Sequence, residues 1–220
     1  MDTTVTKQPI RFDIPLSPEQ KQVKTEALIK PVNFILGIEG TGKTMLGVNI
    51  ALDLLFRKDT IYDKIIITRP IVAAEDFGYL PGNIKEKLFP FLVPIYETLT
   101  DVYGKTAQKK KKIADLLEKE TIRVLPIAFT RGVSYNNAIV IVDEFQNCTT
   151  HQLQMIVGRL GKTSKLIFTG SEEQIDLKKK NESCVNILNK LKNNEHVSIN
   201  MLKQNHRHEA VHSVLNDIRR

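Results

Sequence analysis

Short runs of consecutive apolar residues alternate along this chain with longer stretches of helical periodicity. Val32-Asn-Phe-Ile-Leu36, Lys64-Ile-Ile-Ile-Thr68, Thr121-Ile-Arg-Val-Leu125, Ala138-Ile-Val-Ile-Val142 and Lys165-Leu-Ile-Phe-Thr169 are mostly continuous in apolar character, as strands buried on both faces must be. A last strand is expected over 197–202. Between the first two, Met45, Leu46, Val48, Ile50, Ala51 and Leu52 recur at helical spacing. Further helices are expected over 17–28, 83–103, 106–120, 150–160, 182–192 and 209–218, the second of them interrupted at Pro90 and Pro94. Ser17 is the N-cap of the first, with Pro18 in the opening turn and Gln20 at the capping-box position. Residues 1–16 read as an extended lead-in and 69–82 as a turn-rich stretch. Strands alternating with helices predict an α/β fold, a mostly parallel sheet with helices on both faces.

Composition adds bounds. The chain has 220 residues, 41% of them hydrophobic and 26% charged, the balance of an ordinary globular protein. That length suits one large domain, expected here over 17–220 with a basic insertion around 105–120. No apolar run approaches the roughly 18 residues of a membrane span. Met1-Asp-Thr-Thr-Val-Thr-Lys7 lacks a signal-peptide core. Cys148 and Cys184 make neither a disulfide framework nor a metal-ligand pattern, so a reducing cytoplasm and no membrane partner are expected. The formal net charge of +7 points to a polyanionic partner.

Gly37-Ile-Glu-Gly-Thr-Gly-Lys-Thr44 fits G-x-x-x-x-G-K-[ST] and falls between an expected strand and an expected helix. That context makes it a phosphate-binding P-loop. Its glycines let backbone N–H groups close on phosphate oxygens, and the new helix turns its positive end to the same place. Gly37, Ile38, Glu39, Gly40, Thr41, Gly42, Lys43, Thr44 and Met45 are therefore the candidate nucleotide cradle. Lys43 brings a charge to the β- and γ-phosphates, and Thr44 a hydroxyl to Mg²⁺. Glu39 is anomalous, because a carboxylate beside bound phosphates repels them unless it turns away. Asp143 and Glu144 end the most apolar strand, at the carboxyl edge where open α/β sheets bind ligands. Asp143 is the expected Mg²⁺ ligand, directly or through water. Glu144 is the group expected to polarise the water that attacks the γ-phosphate. ATP and Mg²⁺ are thus the expected cofactors.

Asp143-Glu-Phe-Gln-Asn147 resembles the D-E-x-Q of superfamily 1 helicases and, more closely, the D-E-A-Q-N of PhoH-like ATPases. Ile67-Thr-Arg-Pro-Ile71 with Phe77-Gly-Tyr-Leu-Pro-Gly82, Arg131-Gly-Val-Ser-Tyr-Asn-Asn-Ala138, Gly158-Arg-Leu-Gly161 and Thr169-Gly-Ser-Glu-Glu-Gln-Ile-Asp176 are similar to that family's segments, in the same order. The resemblance runs over roughly 17–208. It departs at Phe145, where a small residue is usual, and at Ser171, where an aspartate is usual. It implies a RecA-like P-loop ATPase. It makes Gln174 a sensor of the γ-phosphate, the alternative being a surface loop amide. It makes Gln20 the reader of adenine, the alternative being a helix cap alone. Leu202-Lys-Gln-Asn-His-Arg207 resembles the L-x-x-N-Y-R segment that carries a transition-state arginine where a second lobe begins. The chain ends thirteen residues later (220 − 207 = 13). The resemblance therefore implies a site completed by a neighbour: a head-to-tail homo-oligomeric ring, a hexamer by analogy, in which Arg207 acts in trans. Arg159 and Arg69 are lesser candidates for that role.

Lys105 and Lys109-Lys-Lys-Lys112 put five lysines within eight positions, either a solvated helix face or a track for phosphates. For Lys109, Lys110, Lys111 and Lys112 both readings stay open. Arg69, Arg131 and Tyr135 are the other candidate nucleic-acid contacts, since bases stack on aromatics and arginine holds the backbone. The expected function is ATP hydrolysis coupled to binding or remodelling of single-stranded nucleic acid by a helicase-like motor, with RNA favoured over DNA by the resemblance. The alternative is a nucleotide-dependent switch that recruits or regulates a nuclease partner without unwinding. A small-molecule kinase is disfavoured, because that class usually lacks the Asp143-Glu144 pair followed by Gln146 and the 170–174 element.

Overall fold

The computed structural model describes residues 9–71, 84–130 and 135–218. Six strands, β1 (Val32–Gly37), β2 (Lys64–Arg69), β3 (Ile122–Pro126), β4 (Ala138–Asp143), β5 (Lys165–Gly170) and β6 (Val197–Leu202), form one sheet. Its order is β3-β2-β4-β5-β1-β6, and every neighbouring pair is parallel. Asp143 lies level with Thr169 on β5, and Thr169 level with Ile35 on β1. The P-loop and the acidic pair therefore leave the sheet at the same edge. This is the mostly parallel α/β sheet that the residue pattern predicted, and the RecA-like architecture that the resemblance implied.

Successive side chains on a strand point to opposite faces, and both faces are covered here. On β4, Ile139 and Ile141 enter a core shared with α1 (Pro18–Ile29), α2 (Lys43–Leu55), α3 (Ile84–Tyr103) and α4 (Ala107–Glu118). Ala138, Val140 and Val142 enter a second core beneath α5 (Thr150–Val157) and α6 (Leu188–Leu191). The chain ends its described part in α7 (Glu209–Ile218). Among the described residues, no helix is long and apolar enough to cross a membrane.

Two elements differ from expectation. The helix α3 runs unbroken through Pro90 and Pro94. Each proline costs a helix interior about 3 kcal/mol. Ile95, Leu99 and Val102 are fully buried, and each burial contributes about 1.5–3 kcal/mol, so packing outweighs the missing donors. The helix expected over 182–192 is instead two short 3-10 turns, Lys180–Glu182 and Cys184–Ile187, leading into the single turn of α6. There the Ser183 hydroxyl accepts from the Val185 N–H and donates to the Gln146 carbonyl at 2.6 Å. Side-chain bonds to the backbone override the helical pattern.

Cys148 and Cys184 are free, adjacent and fully buried, the Cys184 N–H donating to the Cys148 carbonyl at 3.0 Å. Burial pushes the Cys184 thiol up to about 12 and the Cys148 thiol well above its usual range.

Lys165 begins β5 with its side chain buried. Its ammonium donates to the carbonyls of Ala27, Leu28 and Lys30, at the C-terminal end of α1. Burial, with nearby Arg57 as the lesser cause, lowers its pKa to about 8. The unfolded value is about 10.4. The unfolded chain thus binds more protons between those values, so this residue makes stability rise with pH from about 8 to about 10.4. Lys165→Met is expected to cost about 2–3 kcal/mol near neutral pH, because the carbonyls of α1 lose their donor. It is also expected to abolish that rise with pH. Urea titrations near pH 7 and pH 9.5 check both.

Candidate functional site: the P-loop cleft and its carboxylates

Gly42 caps α2 in a left-handed conformation, φ 77°, and a Cβ there would lie 2.8 Å from the Gln20 amide nitrogen. Gly40 is left-handed too, φ 81°, and a Cβ there would lie 2.8 Å from Arg207 Cγ. Glycine is thus required twice, for backbone conformation and for close approach. The loop wraps the N-terminus of α2, where unpaired N–H groups and the helix dipole favour an anion. Lys43 folds across the loop, its ammonium donating to the Ile38 carbonyl at 2.9 Å. Thr41 donates to the same carbonyl at 2.9 Å. Burial lowers the Lys43 pKa, opposed by Glu144, Asp143 and Glu39 in that order.

Asp143 is buried at the end of β4, and Thr44 donates its hydroxyl to Asp143 Oδ1 at 2.7 Å. Thr169 donates to the same oxygen, also at 2.7 Å. Hard Mg²⁺ takes oxygen ligands, and it is usually held by one or two carboxylates together with phosphates and waters. The Thr44–Asp143 pair fits that demand. Among the described residues no cluster of three or more His, Cys, Asp or Glu could hold a metal by itself. When Mg²⁺ enters with a nucleotide it usually keeps phosphate and water oxygens among its ligands.

Glu144 is left-handed, φ 52° and ψ 42°, a conformation that costs a non-glycine residue about 1–2 kcal/mol. Its two carboxylate oxygens go separate ways. Oε1 accepts from the Arg69 guanidinium at 3.2 Å, and Oε2 from the Gln146 amide at 2.6 Å. Gln146 is fully buried, and its own amide oxygen accepts from the Ser171 N–H at 3.1 Å. Next to it, Asn147 donates to Asp176 Oδ2 at 2.9 Å and accepts from the Asp176 N–H at 2.8 Å. The loop that carries Gln174 is therefore riveted at both ends to the turn after Glu144. Thr169, Gln146, Asn147 and Asp176 were not among the expected site residues. Their signal was their place beside the acidic pair and at the end of β5.

Glu39 does not lie over the phosphate cradle unpartnered. Its carboxylate accepts from the Gln174 amide and from the Arg207 guanidinium, the latter at 2.8 Å. Asn205 donates to the Glu39 carbonyl at 3.1 Å, and the His206 N–H to the Gly40 carbonyl at 2.9 Å. The segment after β6 thus lies on the P-loop of its own chain, and Arg207 with it. Glu19 on α1 steadies that segment by accepting from the Lys203 and Gln204 N–H groups. Gln20 forms the expected capping box with Ser17 and, fully buried, donates to the Thr41 carbonyl at 3.0 Å. It is a cap and a brace for the P-loop, 3.4 Å from His206 Nε2.

The candidate nucleic-acid residues divide. Arg69 stands at the cleft, on Glu144. Arg131 lies outside the described residues, as does the 77–82 motif. Tyr135 is a correction: its ring is fully buried in the core beneath α5 and presents no face to a base. The lysine run lies at the other end of the sheet. Lys112 sits 4.2 Å over the ring of Phe56, just past the 13-residue α2. At 1.5 Å per residue that places it about 20 Å from the P-loop. Lys109 binds Asp13 at 2.5 Å and the Arg11 carbonyl at 2.8 Å, docking the lead-in. Lys109 and Lys112 are structural staples, and only Lys105, Lys110 and Lys111 of the run are exposed. With Ile113 and Leu116 in the core, α4 is a packed helix.

Known proteins resemble this chain in sequence and in fold. The chain is 44% identical over 147 residues to a PhoH-like protein of Synechocystis, covering 66% of this chain and 43% of the relative. It is 45% identical over 147 residues to a PhoH-like protein of Bacillus subtilis, covering 66% and 44%. It thus spans less than half the length of these relatives. Among solved structures it is similar to the Pif1 helicase from Candida albicans, at TM-score 0.49 and 21% identity, over 94% of this chain and 44% of the helicase. The model of the PhoH-like protein family matches residues 14–219, and the chain belongs to that family.

Proposed function

We propose that this chain hydrolyses ATP with Mg²⁺ and uses the cycle to change its grip on single-stranded nucleic acid, RNA in preference to DNA. The observation that carries this reading is the divided partnership of Glu144, one oxygen on Arg69 at the cleft and the other on Gln146 behind the Gln174 loop. Asp143 and Thr44 would hold the metal, which supplies charge neutralisation at the phosphate oxygens. Lys43 would leave the Ile38 carbonyl for the phosphates. Glu144 would take the proton of the attacking water, and Arg207, from its place on the P-loop, would meet charge developing at the γ-phosphate. Arg69 is the contact through which a nucleic-acid phosphate would draw on Glu144. Two buried free thiols fit a reducing compartment such as the cytoplasm.

ATPase rates with and without single-stranded RNA or DNA, beside a strand-displacement assay, test the proposal. Stimulation with displacement supports a motor. Stimulation without displacement favours the nuclease-regulating switch, and no response to either polymer counts against both. The path of the strand is tested by salt dependence. Alanine at Lys105, Lys110 and Lys111 together is expected to leave the slope nearly unchanged, although three lost phosphate contacts would flatten it by about 2. A flattening of that size would return the lysine run to the interface.

A further inference from the structure

The residue inside the P-loop that charge alone would forbid is the one that holds the two groups expected to meet the terminal phosphate. Glu39 presents one carboxylate oxygen to Gln174 and the other to Arg207, the latter at 2.8 Å. Gln174 comes from the loop after β5 and Arg207 from the segment after β6, so Glu39 joins two separate parts of the chain at the mouth of the cradle. The contact sits on a fixed base. Asn205 and His206 bind the backbone carbonyls of Glu39 and Gly40, so the Arg207 side chain can leave the carboxylate while its backbone stays in place. The charges balance as well: Lys43, Arg69 and Arg207 face Glu39, Asp143 and Glu144. An anion arriving at Arg207 therefore meets a cation already engaged.

We infer that Glu39 is a specificity-determining residue, an internal stand-in for the γ-phosphate that lowers the preference of this site for triphosphate over diphosphate. The inference rests on the reading above that the Lys43 loop binds nucleotide. A triphosphate has a terminal group with which to take Gln174 and Arg207 from the carboxylate. A diphosphate has none, and the Glu39 contacts persist beside it. The chain thus spends part of its affinity for the triphosphate on breaking the Glu39 pair, and its two γ-phosphate ligands remain ordered when that phosphate is gone.

The test is equilibrium binding of a non-hydrolysable ATP analogue and of ADP, each with Mg²⁺, to the full chain. Glu39→Ala is expected to tighten the analogue about fivefold more than ADP, the scale of one partly exposed ion pair. Glu39→Gln, which keeps an acceptor for Gln174 but loses the charge, is expected to fall between. Arg207→Ala is expected to weaken the analogue more in the Glu39→Ala background than in the wild type, and to leave ADP unchanged in both. Thermal unfolding of each variant verifies folding, and Glu39→Gln carries the comparison if Glu39→Ala does not fold. Equal changes for analogue and ADP in either variant would overturn the inference, because Glu39 would then be shaping the loop as a whole. If the wild type binds neither nucleotide, the proposed function falls and this inference with it. If it binds both and the ratio is unmoved by either substitution, the inference alone falls.

Discussion

Glu144→Gln is expected to lower ATP turnover by about a hundred- to ten-thousandfold, the range for loss of a positioned general base. ATP binding is expected to survive. Lys43, Thr44 and Asp143 are the expected phosphate and metal contacts, and their hydrogen bonds run to groups other than the carboxylate of Glu144. Glutamine is close in shape, and its carbonyl oxygen can still accept a hydrogen bond from Arg69 or Gln146. The left-handed backbone at Glu144, φ 52°, is equally uncomfortable for either side chain, so the substitution isolates the proton acceptor. Turnover by phosphate release and affinity by competition with a non-hydrolysable analogue separate the two effects. Turnover within threefold of the wild type would place the base elsewhere.

Arg207→Ala is expected to reduce turnover about a thousandfold, the lower end for an arginine that neutralises transition-state charge. The more informative result is in mixtures. Arg207 lies on the P-loop of its own chain through Glu39, and this placement supports action in cis. Mixing Arg207→Ala with Lys43→Ala chains is then expected to give no recovery, because each site carries its own lesion. Recovery in mixed assemblies would instead place Arg207 in a neighbour's cleft, as the head-to-tail ring requires. Sizing the assembly in the same buffer separates a ring from a monomer.

Much of the site is legible in the sequence because its signals are local. The P-loop spans eight consecutive positions, and the acidic pair closes an unbroken apolar strand, so neither needs a distant partner to be recognised. What escapes is set by distant partners. Gln146 finds Ser171, Asn147 finds Asp176, and Arg69 finds Glu144 across 25, 29 and 75 positions respectively. No periodicity encodes such pairings. Tyr135 carries the same lesson in reverse: an aromatic beside a basic residue suggests a stacking platform, yet the ring completes the core beneath α5. The lysine run looks uniform in the sequence. Packing separates it by helix face, with Lys109 and Lys112 turned to Asp13, Tyr103 and Phe56 and the two between them turned to water. Prolines 90 and 94 predict breaks from local cost alone, whereas Ile95, Leu99 and Val102 are buried together further along α3.

The two sealed thiols make this chain convenient to label. A protonated thiol in the core reacts slowly with maleimides, which consume thiolate. Cys148 and Cys184 are the only cysteines the chain has, and both are in that state. A cysteine introduced at exposed position 110 or 111 would then be the fast-reacting sulfur. It stands at the end of the sheet far from the cleft, so a dye or surface tether there would leave the nucleotide pocket undisturbed. Single chains could be held by their base and watched while the opposite rim works.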